Sequence, residues 1–383
     1  MSIKKASHHL IRRFVWHALA VVIGTAIVVA IAYFFLPSVL SVSYTQATIN
    51  QVQPPGPPPP PPLNVAQYNE RLLSLAHIAT TSPWYYAFLQ GTTTAVELPG
   101  ATTTLTVAPK LWPVQTALPA DGRALLPFNR IVAYYGNFYS TGMGILGEFD
   151  EQTVLDKLKS EVAAWQEADP TTPVIPAIEY IDVTAQAAAG RDGKYRARMA
   201  DSQIDKSLEY AHEVNGIVIL DIQVGLSTLQ DELPLIRDYL ARPDVHLAID
   251  PEFSMKDGIP PGDEIGTFNS ADINYAINYL SDIVKENNLP PKILVVHRFT
   301  QEMVTGYQNI KPTPQVQVVM NMDGWGFPTK KVNTYNSVIN PEPVQFAGIK
   351  LFYKNDLKQT PARLLTADEV LSLDPAPIYV QYQ

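Results

Sequence analysis

Acidic residues stand at the ends of several short apolar stretches of the sequence. Asp221 closes the run GIVILD, Asp250 and Glu252 follow VHLAI, and Asp323 follows VQVVMNM. Carboxyl groups that are brought together and lose water have raised pKa values, because burial and like charge both disfavour the ionised form. A protonated carboxyl group beside an ionised carboxylate can cleave a glycosidic bond: the first protonates the leaving oxygen, and the second stabilises or captures the anomeric carbon. These four residues are the candidate catalytic groups.

Other polar and aromatic side chains lie at comparable positions and are candidates for substrate binding. They are Tyr135, Glu179, Gln223, His297, Asn321, Trp325 and Lys350. Because side chains two apart in a strand point to the same face, three pairs are expected to aim into one site: Asp221 with Gln223, Asp250 with Glu252, and Asn321 with Asp323. Further aromatic residues near the same ends could stack on sugar rings or pack in the core: Tyr134, Phe253, Phe299, Phe327 and Phe352.

Eight apolar, β-branched runs in the second part of the chain predict the elements that position these residues. The runs cover 131–136, 174–181, 216–223, 245–252, 292–299, 316–323, 346–353 and 377–383. Such runs are typical of parallel strands that are covered on both faces. Helical patterns separate the first five at 151–168, 202–214, 227–241 and 270–288, with Ser202, Ser227 and Ser270 as expected N-caps. Residues 324–345 are expected to be mostly loop with one short helix.

This alternation over about 250 residues predicts an α/β fold, a (β/α)8 barrel of the TIM type. In such a barrel the carboxyl ends of all strands face one mouth, so the candidate residues should converge there. A doubly wound open sheet is the alternative. It has less support as a nucleotide-binding fold, because the sequence contains no Walker sequence.

The N-terminus predicts a membrane anchor. Residues 14–36 form an apolar run of 23 residues, which is long enough to span a bilayer. Lys4, Lys5, Arg12 and Arg13 precede it, so residues 1–13 are expected in the cytoplasm and the barrel outside it. A cleaved signal peptide is the alternative, but its apolar region is usually only about 7–15 residues long and ends at a small-x-small site, and no convincing site follows here. The protein is thus predicted to be a single-pass, membrane-anchored envelope protein.

Two segments are expected between the anchor and the barrel. Residues 37–63 include PPGPPPPPP at 54–62, which predicts an extended polyproline spacer, with a ligand for an SH3-like groove as the alternative. Residues 64–128 are interpreted as an accessory segment packed on the barrel, with an amphipathic helix near 64–79 and a hairpin around Pro99-Gly100. The barrel domain itself is assigned to 129–383.

Charge and cysteine content exclude several classes of function. The net charge is -9, and because four of the 28 Lys and Arg residues precede residue 14, the remaining 24 face 37 acidic residues. This acidic remainder argues against a nucleic-acid partner and favours a neutral or cationic one. The chain has no cysteine, which rules out disulfides, thiolate metal sites and a cysteine nucleophile. A carbohydrate is the predicted ligand; the sequence does not indicate the oligomeric state.

The segment IDPEF, with Asp250-x-Glu252 at the end of the fourth strand, and MNMD, ending at Asp323, resemble barrel glycoside hydrolases of the chitinase and lysozyme type. Segments such as RIVAYYGN and VVHRFT also make the barrel similar to uncharacterised exported bacterial barrel proteins. The first resemblance implies that Glu252 is the general acid and that Asp250 orients it or the substrate. Asp221 and Asp323 would tune the charge or hold the sugar, with a role as nucleophile or base as the alternative. The sequence departs from the chitinase pattern at Met322, where that family has Tyr.

Two other functions remain open. A metal-dependent hydrolase would use Glu179, Asp221, Glu252, His297 and Asp323 as ligands. The sequence contains no His-x-His and no His-Glu-x-x-His, so we predict neither a metal nor a cofactor. The other alternative is a barrel without catalytic activity that binds a glycan or a protein in the cell envelope.

Overall fold

The computed structural model describes residues 58–92, 95–100 and 104–383. Within these ranges no helix is both long enough and apolar enough to cross a membrane. The predicted anchor at 14–36 and most of the proline-rich spacer lie outside the described residues. The compact unit that carries the site comprises Pro60–Gln383.

The first part of this unit consists of two short helices and a small hairpin. These elements are α1 (Val65–Leu75), α2 (Pro83–Leu89), β1 (Ala95–Glu97) and β2 (Thr104–Thr106). Asn64 begins α1 by accepting a hydrogen bond from the backbone of Gln67 at 3.1 Å, and β1 pairs antiparallel with β2. The buried face of α1, with Tyr68, Leu72 and Leu73, belongs to the same hydrophobic core as the barrel. The predicted helix and hairpin are confirmed.

Eight parallel strands form the barrel. They are β3 (Arg130–Gly136), β4 (Val174–Ala185), β6 (Ile217–Ile222), β7 (Val245–Ile249), β9 (Lys292–Arg298), β11 (Val316–Met322), β12 (Phe346–Leu351) and β13 (Tyr379–Tyr382). Each strand pairs with its neighbour in chain order, and β13 pairs with β3 to close the ring. The short β5 (Arg196–Arg198) extends β4 as an antiparallel hairpin, and β8 (Phe268–Asn269) pairs with β10 (Val304–Thr305). The predicted (β/α)8 barrel is confirmed, and the open-sheet alternative is wrong.

Helices follow most of the strands. They are α3 (Ile145–Glu148), α4 (Glu151–Ala168), α5 (Asp201–Glu213), α6 (Leu229–Glu232), α7 (Arg237–Leu240), α8 (Ser270–Asn287), α9 (Pro328–Val338) and α10 (Ala367–Leu371). The single helix predicted for 227–241 is instead α6 and α7 separated by a 3-10 turn, Leu233–Ile236. Pro234 explains the break, because proline lacks the N–H for a helical hydrogen bond and its ring clashes with the preceding turn.

The three predicted serine N-caps are wrong. Thr228 caps α6 and Asn269 caps α8, while Ala200 precedes α5 without a side-chain cap. Each helix begins within two residues of its predicted start. The cap nevertheless changes identity, because capping depends on which backbone dihedral angles turn into the helix and not on residue type alone.

A segment upstream of the first barrel strand closes the amino end of the barrel. The side chain of Gln317 on β11 donates to the carbonyl oxygen of Leu126 at 2.5 Å and accepts from its N–H at 3.1 Å. His246 is buried near the same end, where its Nδ1 accepts from the N–H of Ile293 at 3.0 Å. These contacts satisfy backbone hydrogen-bonding groups at the amino end of the barrel. An accessible site is therefore expected at the carboxyl end of the strands.

Replacement of Asn269 by alanine tests the observed start of α8. The side chain of Asn269 accepts from the N–H groups of Ala271 and Asp272 at 2.9 and 3.1 Å, so Asn269→Ala should lower the free energy of unfolding by about 1 kcal/mol. Urea titration of the full chain measures the change. Ser270→Ala is the matched control and should change stability by less than about 0.5 kcal/mol. A larger loss for Ser270→Ala than for Asn269→Ala would contradict the assignment.

Candidate active site

A cavity of about 630 Å³ opens at the carboxyl ends of the barrel strands. Its polar lining includes Tyr135, Gln223, Asp250, Glu252, Asp323 and Lys350, and its aromatic lining includes Phe253, Phe299, Trp325 and Phe352. The volume is in the range of pockets that bind small organic ligands. Residues from all eight strands, or from the segments directly after them, thus meet around one concave space.

A second layer of polar side chains lies beneath this cavity, fully buried in the barrel. We name it the floor cluster; it consists of Glu179, Asp221, His297, Asn321 and Gln381. Its centre is His297, whose Nε2 lies 3.1 Å from Glu179 Oε1 and whose Nδ1 lies 3.5 Å from Asp323 Oδ2. Glu179 also accepts a hydrogen bond from the hydroxyl group of Tyr379. The cluster thus connects the middle of the barrel to a carboxylate of the cavity wall.

The floor cluster depends on a glycine for its space. A Cβ atom at Gly348 on β12 would lie 2.9 Å from Asn321 Oδ1 and 2.9 Å from a ring carbon of Tyr379. These distances are shorter than ordinary van der Waals contacts, so a larger residue would displace the two side chains.

His297 is positively charged at neutral pH. Burial alone disfavours the imidazolium, but the hydrogen bond to Glu179 and the negative charges of Asp221, Glu179 and Asp323 outweigh it and raise the pKa of His297 to about 9. The buried cation therefore balances part of the negative charge that the inward-facing carboxylates bring into the barrel.

A chain of hydrogen bonds joins the floor cluster to the cavity wall. The hydroxyl group of Tyr135 donates to Asp221 Oδ2 at 3.0 Å, and Gln223 Nε2 donates to that hydroxyl at 3.3 Å and to Asp250 Oδ2 at 3.4 Å. Gln223 Oε1 accepts from the backbone N–H of Ala185 at 3.1 Å. Gln223 thereby fixes Asp250 relative to the β4–β5 hairpin and to Tyr135.

Glu252 reaches the cavity from a tight turn and not from a strand. Strand β7 ends at Ile249, and Pro251–Phe253 forms a 3-10 turn in which Asp250 Oδ1 accepts from the N–H of Glu252 at 3.0 Å. The N–H of Gly266 donates to the carbonyl oxygen of Glu252 at 2.7 Å. A Cβ atom at Gly266 would lie 2.6 Å from the carbonyl oxygen of Pro251, so this close approach requires glycine. Asp250 and Glu252 both line the cavity, as predicted. The predicted reason, alternation along a strand, is wrong, because Glu252 lies on the turn.

Burial and mutual repulsion shift the pKa values of three acids upward. Burial, followed by the negative charge of Asp323, raises the pKa of Glu252 to about 7. Burial, together with Asp323, Asp221 and Glu252, raises the pKa of Asp250 well above its usual range, although the charge of His297 acts against this. Burial raises the pKa of Asp221 to about 6, also against the charge of His297. Glu252 is the acid that combines a raised pKa with partial exposure to the cavity.

The predicted site residues divide between two levels. Asp250, Glu252, Asp323, Tyr135, Gln223, Trp325 and Lys350 line the cavity, whereas Asp221, Glu179, His297 and Asn321 lie buried in the floor cluster. Glu179 is not at a strand end as expected, since β4 continues for six residues to Ala185. Of the other aromatic candidates, Phe253, Phe299 and Phe352 line the cavity, and Tyr134 instead packs against Tyr353 and Tyr382.

Sequence reasoning missed several lining residues. Met143 comes from the loop after β3, and Lys330 and Thr334 come from α9. No local signal marks these positions, because they reach the cavity only through the path of the loops after the strands. In the part of the chain that the structure describes, no three His, Asp or Glu side chains are arranged to hold a metal ion.

Comparison with known proteins gives weak structural likenesses. No protein-family model matches the sequence, and no curated protein matches it. A tri-modular GH5 (subfamily 4) endo-β-1,4-glucanase from Bacillus licheniformis, crystallised with cellotetraose, is 11% identical with a TM-score of 0.37, over 68% of this chain and 54% of that one. A ruminal GH26 endo-β-1,4-mannanase is 11% identical with a TM-score of 0.35, over 73% and 67% of the two chains.

A GH5 xyloglucanase from Bacteroides ovatus is 10% identical with a TM-score of 0.35, over 76% of this chain and 79% of that one. The chain thus spans about half the length of the B. licheniformis protein. The neighbours are GH5 and GH26 glycoside hydrolases, and none of these three is a chitinase or a lysozyme.

The charge of His297 can be tested directly. Glu179→Gln removes the negative charge and the acceptor that favour the imidazolium, so the pKa of His297 should fall by at least about one unit. NMR titration of the imidazole resonances measures the shift. Asp182→Asn is the matched control, because Asp182 is a second buried carboxyl group of β4 whose charged neighbours are Asp201 and Glu232. An unchanged pKa in Glu179→Gln would contradict the role given to this pair.

Proposed function

We propose that this protein is a glycoside hydrolase that uses Glu252 as its general acid. The observation that carries the proposal is the position of Glu252 on the cavity wall, where burial and Asp323 raise its pKa to about 7. A carboxyl group with such a pKa is protonated often enough near neutrality to donate a proton to a leaving oxygen. The observation also fits the role that the sequence resemblance implies for this residue.

Asp323 is the second carboxylate of the proposed mechanism. It lines the same cavity and forms an ion pair with His297, whose imidazolium stabilises its negative charge. As the glycosidic bond breaks and Glu252 gives its proton to the departing oxygen, Asp323 acts on the anomeric carbon directly or through a water molecule that it deprotonates. The surroundings of the two groups thus differ: burial and a neighbouring negative charge favour the protonated form of Glu252, whereas Asp323 forms an ion pair with His297.

Asp250 and Gln223 are positioning residues in this proposal. Asp250 holds the turn of Glu252 through the backbone, and Gln223 holds Asp250. Asp221 lies beneath the cavity, bonded to Tyr135, and acts through that residue and His297. The sequence-based alternative in which Asp221 is the nucleophile has less support, because its side chain is fully buried.

The location of the enzyme is also part of the proposal. The apolar run at 14–36, with basic residues before it and a polyproline stretch after it, supports a barrel held outside the cytoplasmic membrane on a stalk. The proposed substrate is therefore an envelope or extracellular glycan.

Replacement of Glu252 tests the proposed acid. Glu252→Gln keeps the size of the side chain but removes the proton donor, so kcat/KM on a cleaved glycan should fall by about 10²- to 10⁴-fold. Release of reducing ends from a panel of chitin-, peptidoglycan-, glucan- and mannan-type oligosaccharides measures turnover. Glu264→Gln, an exposed carboxyl group of the loop after the same turn, is the matched control and should retain activity. Unchanged turnover in Glu252→Gln would disprove the assignment.

The pH dependence gives a separate test. A general acid works in its protonated form, so kcat/KM should fall as the pH rises through about 7, the pKa of Glu252. Initial rates between pH 5 and 9 on the best substrate of the panel measure this limb. A rate that stays constant from pH 6 to pH 9 would show that the acid is another group.

A binding protein without activity is the second candidate, and exposed Trp325 favours it. The side chain of Trp325 is 41% exposed at the cavity, where an indole ring can stack on a sugar face. Trp325→Ala should weaken oligosaccharide binding about fivefold, equivalent to about 1 kcal/mol, as measured by calorimetry. Binding that depends on Trp325, with no turnover of any glycan, would favour this candidate over the hydrolase.

A further inference from the structure

One side of the cavity carries a lysine that makes no direct ion pair. The residue Lys350 is only 3% exposed and lines the cavity. Within the described residues its Nζ has no hydrogen-bond acceptor and no carboxylate oxygen within 4 Å; it lies 3.5 Å from the centre of the Tyr135 ring. Burial raises the pKa values of Glu252 and Asp221, and the charge of Lys350 acts against this rise, so Lys350 interacts with the acids of the site without contacting them. Its ammonium group is therefore available for a direct contact with a ligand in the cavity.

Two exposed lysines lie near the Trp325 ring, and one of them, Lys330, lines the cavity. Lys330 Nζ lies 4.5 Å from the centre of the Trp325 ring, and Lys358 Nζ lies 5.7 Å from it. Neither has a carboxylate within 4 Å among the residues that the structure covers. We name Trp325, Lys330, Lys350 and Lys358 the cationic rim.

The neighbouring lysine in the sequence shows how a structural lysine is arranged here. Lys331 is buried, pairs with Asp356 at 3.2 Å and donates to the carbonyl oxygen of Gly324 at 2.8 Å. Its ammonium group is therefore satisfied inside the protein. Lys330 and Lys350 differ from it because they line the cavity without such partners.

The cavity carries acidic and basic side chains on different parts of its wall. Asp250 and Glu252 follow β7, whereas Lys350 is on β12, three strands away in the ring of eight. A substrate that spans the opening meets the proposed acid on one side and the cationic rim near the other. This local charge is opposite to that of the chain as a whole, whose net charge is -9.

We propose that the cavity binds a saccharide that carries a carboxylate group, and that the cationic rim holds this carboxylate while the sugar ring stacks on Trp325. The inference rests on the proposed function, since it names the substrate class of the same site. The carboxylate of a hexuronic acid and that of a lactyl ether, as in muramic acid, share this chemistry. Lysine ammonium groups bind such a carboxylate through charge-assisted hydrogen bonds. The acidic composition of the whole chain favours a neutral or cationic partner, but the cationic rim differs from this average and favours an anionic group.

Matched ligand pairs test the proposal by binding. The probes are an oligogalacturonate and its carboxyl-reduced, neutral counterpart, and a muramic-acid oligosaccharide with its lactyl carboxylate intact or reduced. Calorimetry on the full chain with Glu252→Gln, which prevents turnover, gives the ratio of the dissociation constants within each pair. We expect at least one acidic probe to bind about tenfold more tightly than its neutral counterpart, and the better pair identifies the source of the carboxylate.

Lysine variants show whether the rim causes the preference. Lys330→Gln should reduce the ratio at least threefold without weakening binding of the neutral probe. The matched control is Lys206→Gln, because Lys206 also lies on an aromatic ring, 4.4 Å from the centre of Phe138, but does not line the cavity. Lys350→Gln is the second variant and should also reduce the ratio of the dissociation constants. If it changed only the pH dependence of kcat/KM and left this ratio unchanged, Lys350 would not bind the carboxylate and would act only on the charge of the acids.

Failure of this inference and failure of the proposed hydrolase are distinguishable. Equal affinity for acidic and neutral probes, or an unchanged ratio in Lys330→Gln, would overturn the inference, even if a neutral glycan is hydrolysed in a manner that depends on Glu252. A preference that depends on Lys330, without turnover of any probe, would support the rim and refute the hydrolase. Tighter binding of a sulfated chain than of either carboxylate probe would overturn the assignment of a carboxylate.

Discussion

The charge of one buried imidazole balances part of the negative charge in this barrel. Glu179 and Asp221 are fully buried and Asp323 lies on the cavity wall, and an isolated buried carboxylate would cost several kcal/mol. His297 lies between them as a cation and makes the arrangement tolerable. Because its two ring nitrogens face different carboxylates, it also fixes their relative positions. The closed ring of parallel strands is what brings these groups together.

The same compensation explains why the acids of the cavity differ from one another. Asp323 is next to the cation, while Glu252 is on a turn beyond the strand, where burial and the neighbouring negative charge favour its protonated form. Two carboxyl groups in one opening therefore have different electrostatic surroundings. Hydrogen bonds of Gln223 and Asp250 connect the floor cluster, through Tyr135, to the turn of Glu252 on the cavity wall.

The sequence predicts the barrel and its acids well because both depend on local patterns. Continuous apolar runs mark the strands, and the polar residue that ends each run marks the mouth, as for Asp250 and Asp323. The turn that presents Glu252 depends on the return of the loop to Gly266, and Lys330 reaches the cavity from a helix, so neither follows from strand alternation. The role of His297 as a cation could not be predicted either, because it requires the distances to Glu179 and Asp323 that only closure of the ring supplies.

Closure of the ring joins residues that are far apart in the chain. Tyr379 and Glu179 are 200 residues apart, and Leu126 and Gln317 are 191 residues apart. Contacts at such separations form late, because long loops must close before the contacts can stabilise the chain. Until β13 is in place, β3 and β12 are unpaired edges rich in apolar residues, which are prone to aggregate. The last strand of the barrel therefore covers both open edges of the sheet at once.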